Sequence, residues 1–68
     1  MGTVARVTEI SATSDQGFED AINTGISRAA ETLRDVRSAW IKEMHVDVAD
    51  GRVNQYRVNM LVTLVLEG

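Results

Sequence analysis

The sequence predicts an α+β domain of order βαββ, a three-stranded antiparallel sheet partly wrapped around one amphipathic helix. Three patterns predict it. Near the end, Tyr56, Val58, Met60, Val62, Leu64 and Leu66 alternate with period two, as a strand laid on a core does. Earlier, Phe18, Ile22, Ile26, Ala29, Leu33 and Val36 recur at steps of three and four, which makes one stripe of a helix. Between two alternating stretches, Ala49-Asp50-Gly51-Arg52 carries the Asp-Gly signal of a tight hairpin.

Taken in order, Thr3 to Ile10 is a short β-prone segment through Val4, Val7, Thr8 and Ile10, expected to stop at the polar run Ser11-Ala12-Thr13-Ser14. A helix is expected to start there. Thr13 and Gln16 have capping-box spacing, Ser14 is an equally good N-cap, and Asp15, Glu19 and Asp20 sit where the helix dipole favours carboxylates. The helix should run for about 20 residues, or about 30 Å. Gly25 lies inside it at a cost of about 1 kcal/mol relative to alanine, which marks either a close approach to the sheet or a tolerated imperfection.

The second strand shows Trp40, Met44, Val46 and Val48 on one parity and Ile41, Glu43, His45, Asp47 and Ala49 on the other. Simple alternation therefore places Trp40 with Met44. The third strand could reach roughly 45 Å, longer than the helix that covers it, so part of it is left for neighbours. Because a helix joins the first two strands, the long third strand belongs in the centre of the sheet. Leu61 and Val65 add apolar groups to the face of that strand away from the helix. One helix covers one face of a small sheet, so this second apolar face implies burial against another copy of the chain.

Composition agrees with an assembly subunit. The 68 residues form a single domain over 1–68, near the size at which a chain buries only about 60% of its unfolded surface. There is no cysteine, so disulfides and cysteine-ligated zinc are excluded and oligomerisation remains as the stabiliser. No apolar run approaches the ~20 residues of a membrane-spanning helix, and the first residues lack a signal-peptide core, so a soluble, unprocessed, cytoplasmic protein without membrane contact is expected. A net charge of -3 spread along the chain argues against nucleic acid as a partner. With one histidine, no cysteine and no glycine-rich phosphate loop, no nucleophile and base pair has a recognisable spacing, and no enzyme activity is expected.

The whole chain resembles the dodecin family. The likeness is carried by the short strand leading to a Thr-Ser cap, the helix ending in Thr32-Leu33-Arg34, the Lys42-Glu43 strand, the Asp50-Gly51 hairpin and the terminal stretch Tyr56 to Glu67. What this implies is a hollow spherical homododecamer of βαββ subunits, sheets inward and helices outward. Dodecins are non-enzymatic proteins that store or sequester riboflavin, FMN or related flavins and quench their photochemistry. Their flavins are held in pairs between tryptophans of symmetry-related subunits.

Two positions depart from the flavin-binding pattern. The family's stacking tryptophan precedes the Lys-Glu pair by three intervening residues, which places Ser38 there, while Trp40 stands two residues on and on the same strand face. The family's glutamine follows the strand's aromatic residue, and after Tyr56 this chain has Arg57, with Gln55 two residues back on the same side. Arginine offers donors only and a fixed charge that favours a carboxylate or phosphate. The Tyr-Arg pair resembles a branch of dodecin-like proteins described as calcium-binding. The candidate ligand-binding residues are Ser38, Trp40, Gln55 and Arg57, for a flavin held between subunits. The alternative is a flavin-independent cage that binds Ca2+ or Mg2+, or a purely structural one, with Glu43 and Asp47 as candidate ligands gathered around a symmetry axis.

Each residue also has an ordinary reading. Trp40 serves as a buried anchor at a subunit contact. Arg57 pairs with a carboxylate across a subunit boundary. Glu43, His45 and Asp47 form a polar strand face.

Overall fold

A computed structural model of the chain describes residues 2–66. Its elements are β1 (Val4–Ser14), α1 (Phe18–Thr32), β2 (Val36–Ala49) and β3 (Arg52–Leu66). The sheet order is β1-β3-β2 and both pairings are antiparallel, so the long β3 lies in the centre, as the helical connection between the first two strands predicts. The subunit is a ribbon of 53 × 20 × 13 Å.

β1 runs four residues past the predicted end. Ser11, Ala12, Thr13 and Ser14 pair with Asn59, Val58, Arg57 and Tyr56, so a long central strand holds a polar stretch that its own propensity would not keep extended. The helix accordingly starts later and is shorter, 15 residues or about 22 Å. Neither predicted cap acts as the N-cap. Gly17 precedes the first turn with no side-chain cap, while Ser14 Oγ accepts the Gln16 amide at 2.9 Å and donates to Asp20 at 2.6 Å. That hydroxyl ties the end of β1 to the first turn, where Glu19 and Asp20 face the positive end of the helix dipole.

The helix touches the sheet through small residues. Ala21, Gly25 and Ala29 are its buried positions, and Phe18, Ile22 and Ile26 flank them half-buried. Leu33 and Val36, predicted to extend the stripe, lie beyond the helix, with Leu33 already extended and Val36 opening β2. Facing this line, Val58, Met60, Val62 and Leu64 of β3 are buried, and Phe18 meets Tyr56 edge-on at 5.1 Å between centroids. Leu66 shares their face but is exposed at the end of the sheet. The helix lies mainly over β1 and β3, so the helix-side residues Ile41 and Met44 of β2 remain 37% and 51% exposed.

Asp50 and Gly51 both have positive φ, 53° and 73°, in a two-residue loop between the paired Ala49 and Arg52. This is the type I′ geometry expected of Asp-Gly, whose twist matches the strands it joins. The last β1 pair is Ser14 with Tyr56, so the β2–β3 hairpin projects past both β1 and the helix. Val48 and Val53 are exposed on that projection. Among the described residues, no helix is long and apolar enough to cross a membrane.

Candidate functional site

β2 does not alternate uninterrupted. Its pairing with β3 slips between Val36 and Ser38, between Ile41 and Glu43, and between Asp47 and Val48. The middle slip leaves Lys42 as an extra residue, and an extra residue exchanges the faces of everything beyond it. Met44 and Val46 stand opposite Val58 and Tyr56 on the helix side, whereas Trp40 stands opposite Leu61 on the other face. The predicted grouping of Trp40 with Met44 and Val46 is therefore corrected by one bulge.

The consequence is functional. The helix-free face carries Ser38, Trp40, Glu43, His45 and Asp47 from β2, opposite Thr63, Leu61, Asn59, Arg57 and Gln55 from β3. Glu9, Ser11 and Thr13 of β1 complete it across β3. All four candidate ligand residues and both candidate cation ligands thus share one face. They fall into two groups, because Arg57 and Leu61 are four residues apart on β3, about 13 Å. Ser38 and Trp40 form one group, and Gln55 with Arg57 the other.

At the first group, Ser38, Ala39, Trp40 and Thr63 line a shallow depression of ≈ 320 Å³. The Trp40 indole is 76% exposed, with Leu61 opposite its base and half-buried. A flat ring presented this way on an otherwise folded face is a stacking surface or an interface anchor.

The second group is an ion-pair cluster. Arg57 Nη2 donates to Asp47 Oδ2 at 3.2 Å, and His45 Nε2 lies 3.4 Å from the other Asp47 oxygen. Arg57 thus finds its carboxylate inside its own chain. Its Nε is enclosed, with no hydrogen-bond partner among the described residues. Nearby, Asn59 Nδ2 donates to Glu43 Oε1 at 2.9 Å. Lys42, on the bulge, reaches across β3 to Glu9 at 3.2 Å. Glu9, Asn59 and Thr63 belong to this face through strand register alone, which sequence reasoning had no means of reading before the pairing was known.

Glu43 and Asp47 do not converge within one chain. They pair with Asn59 and Gln55, four positions apart on β3, and each already has a polar partner. Among the described residues there is no group of three or more His, Cys, Asp or Glu side chains arranged to hold a metal ion. Away from this face, a more apolar groove of ≈ 550 Å³ runs between α1 and β1 past Ile10, Ala12, Gly25 and Ala29.

Comparison with known proteins gives a consistent result. The family model described as Dodecin matches residues 4–67. The chain is 34% identical to a dodecin of Thermus thermophilus over 67 residues, 98% of this chain and 97% of that protein. Its structure superposes on a dodecin from Streptomyces davaonensis with a TM-score of 0.90 at 32% identity, covering 100% of both chains. It also superposes on a calcium dodecin from Mycobacterium tuberculosis, described as having a novel calcium-binding site, with a TM-score of 0.80 at 28% identity over 94% of this chain and 91% of that one.

Proposed function

The chain belongs to the dodecin family, and from that premise we propose that it forms a homododecameric cage that binds and buffers a flavin, riboflavin, FMN or a relative, without transforming it. The observation that carries this reading is Trp40. A single tryptophan stands exposed on the helix-free face, beside Ser38 and Thr63, where the family's sheets turn inward. In a closed assembly this face meets its symmetry copies, so a ring bound there is stacked from both sides and screened from water. Ser38 leaves space where the family's own tryptophan would stand, and Trp40 supplies the plate two residues further on. Gln55 and Arg57 supply polar edges from the far end of the same face of a neighbouring copy.

The apolar groups on that face support assembly. Leu61 and Val65 are half-buried on a side that no helix covers, and on the other side of the sheet Ile41 and Met44 of β2 stay exposed beyond the reach of the helix. Such surface on a 68-residue chain is ordinarily covered by other copies. The test is a riboflavin fluorescence titration against the purified assembly. Quenching that saturates supports the reading, and an unchanged flavin signal at concentrations well above the subunit concentration contradicts it.

A second reading follows from the likeness to the calcium dodecin. Glu43 and Asp47 lie on the inward face, and symmetry brings copies of one carboxylate together around an axis. Calcium or magnesium would then occupy a site made by several subunits. Calcium titration by calorimetry in the absence of flavin separates the two.

A further inference from the structure

On the homododecameric reading above, we infer that the apolar groove between α1 and β1 holds the projecting β2–β3 hairpin of a second copy of this chain. This head-to-tail contact joins subunits through surfaces other than the Trp40 face. Symmetry requires a second contact of this kind. A face that meets its own copy about a two-fold axis stops at a dimer, whereas two different surfaces that fit each other pass from copy to copy until a ring closes. The chain carries such a pair. Asn54 is the extra residue where the pairing of β2 and β3 slips between Asp47 and Val48, so Val48 and Val53 stand opposite each other on the helix side of the hairpin. With Met44 they form an apolar strip that the helix does not cover, and Val48 is 64% exposed.

The groove has the complementary character. Its ≈ 550 Å³ are lined by Ile10, Ala12, Gly25, Ala29 and Leu33, with Thr24, Arg28 and Thr32 along the helix rim. Along β1 it runs from Thr8 to Thr13, about 16 Å, and the hairpin projects about 13 Å from Val46, level with the end of β1, to Asp50, so the groove is long enough to take it. The chain's own hairpin does not reach it. That hairpin leaves the sheet beside the start of the helix, level with Ser14 and Tyr56, whereas the groove lies along Thr24 to Leu33 toward the other end. The occupant is therefore another copy. Charge favours the same fit. Asp50, at the tip, has no ion-pair partner among the described residues, and Arg28 has only the exposed Glu31 at 3.9 Å. Past Thr32 and Leu33 the groove continues onto Arg6, Arg34 and Asp35. Arg52 stands opposite Ala49 on the helix-free face, on the side away from the contact. With Asp50 on Arg28, Val48 lies two residues back, about 6.6 Å. One helical turn from Arg28, about 6 Å, brings it beside Thr24 or Thr32.

The chain has no cysteine, so an introduced pair reports only on itself. The experiment combines Val48→Cys with Thr24→Cys, and separately with Thr32→Cys, and oxidises each assembly mildly before a denaturing, non-reducing gel. One of the two double variants should give a ladder of covalent trimers and longer chains, while each single variant remains monomeric. Monomers from both double variants, or dimers already formed by the single variants that account for the ladder, overturn the inference. Val48→Lys, at an exposed position that leaves the subunit core intact, should reduce the particle to species no larger than a dimer in native mass spectrometry, with an unchanged circular dichroism spectrum. An intact particle overturns the contact. Asp50→Asn, which a type I′ turn also accepts, and Arg28→Gln should each lower the thermal midpoint of the assembly, and the double variant should lower it by less than their sum. Additive shifts overturn the pairing of these two charges. A wild-type protein that does not form twelve subunits overturns the cage reading itself, while the cysteine pairs still decide whether hairpin and groove meet.

Discussion

Gly25 of the helix rests directly over Met60 of the central strand: a Cβ built on Gly25 would lie 2.5 Å from the Met60 methyl and 3.0 Å from Ala12 Cβ. Met60 is completely buried, so its methyl group has little room to move. The missing side chain is what lets the helix lie close on β1 and β3.

Replacing Gly25 with alanine therefore sets two effects against each other. Helix propensity gains about 1 kcal/mol, and overpacking costs about 1–3 kcal/mol. The packing cost wins here because two neighbours are crowded at once. Gly25→Ala should lower the thermal midpoint, and adding Met60→Leu, which removes the crowded methyl, should recover part of the loss. A midpoint raised by Gly25→Ala alone would show that the helix is free to shift.

Leu64 is 5% exposed on the same core face. Leu64→Asp places an unpaired charge there and should cost about 3 kcal/mol or more, enough to abolish assembly or folding of so small a chain. Urea unfolding with native mass measurement checks this. An intact oligomer of unchanged stability contradicts the assignment of the core.

Trp40 carries the ligand reading. Removal of an aromatic stacking plate costs about 1–3 kcal/mol in comparable ring-stacking sites, so Trp40→Ala should weaken riboflavin binding by roughly tenfold or more. Trp40→Phe, which keeps a smaller ring, should fall between the two. Equal affinity in all three proteins would move the tryptophan from ligand plate to interface anchor.

Arg57→Gln restores the amide that the flavin-binding pattern has after its strand aromatic residue. It should raise riboflavin affinity by about threefold, the scale of one added neutral hydrogen bond. The ion pair with Asp47 is over a third exposed, so its loss should change stability by only about 0–1 kcal/mol. An unchanged titration assigns the departure from the family's affinity to Ser38.

The parts of this fold that the sequence makes legible are those with an unbroken period. Tyr56 to Leu64 alternate without a bulge, and Asp50-Gly51 permits few turns besides the one it forms. The misread parts depend on partners distant in sequence. Ser11 to Ser14 are extended because Tyr56 to Asn59 lie beside them. Lys42 displaces the register of β2, and counting parity through it assigns Trp40 to the wrong face. The candidate residues themselves were identifiable, since aromatic, amide and charged groups stand out in a short chain. Their relations were not. That Arg57 is matched by Asp47 of its own strand pair, ten residues away, follows only from the hairpin register.

The central claim is that copies of this chain close into a cage whose inward faces hold a flavin. Native mass spectrometry of the purified protein, with riboflavin quenching followed on the same sample, tests it most directly. The account predicts twelve subunits and saturable quenching. A monomer or dimer would contradict the assembly, and twelve subunits that leave riboflavin fluorescence unchanged would contradict the ligand.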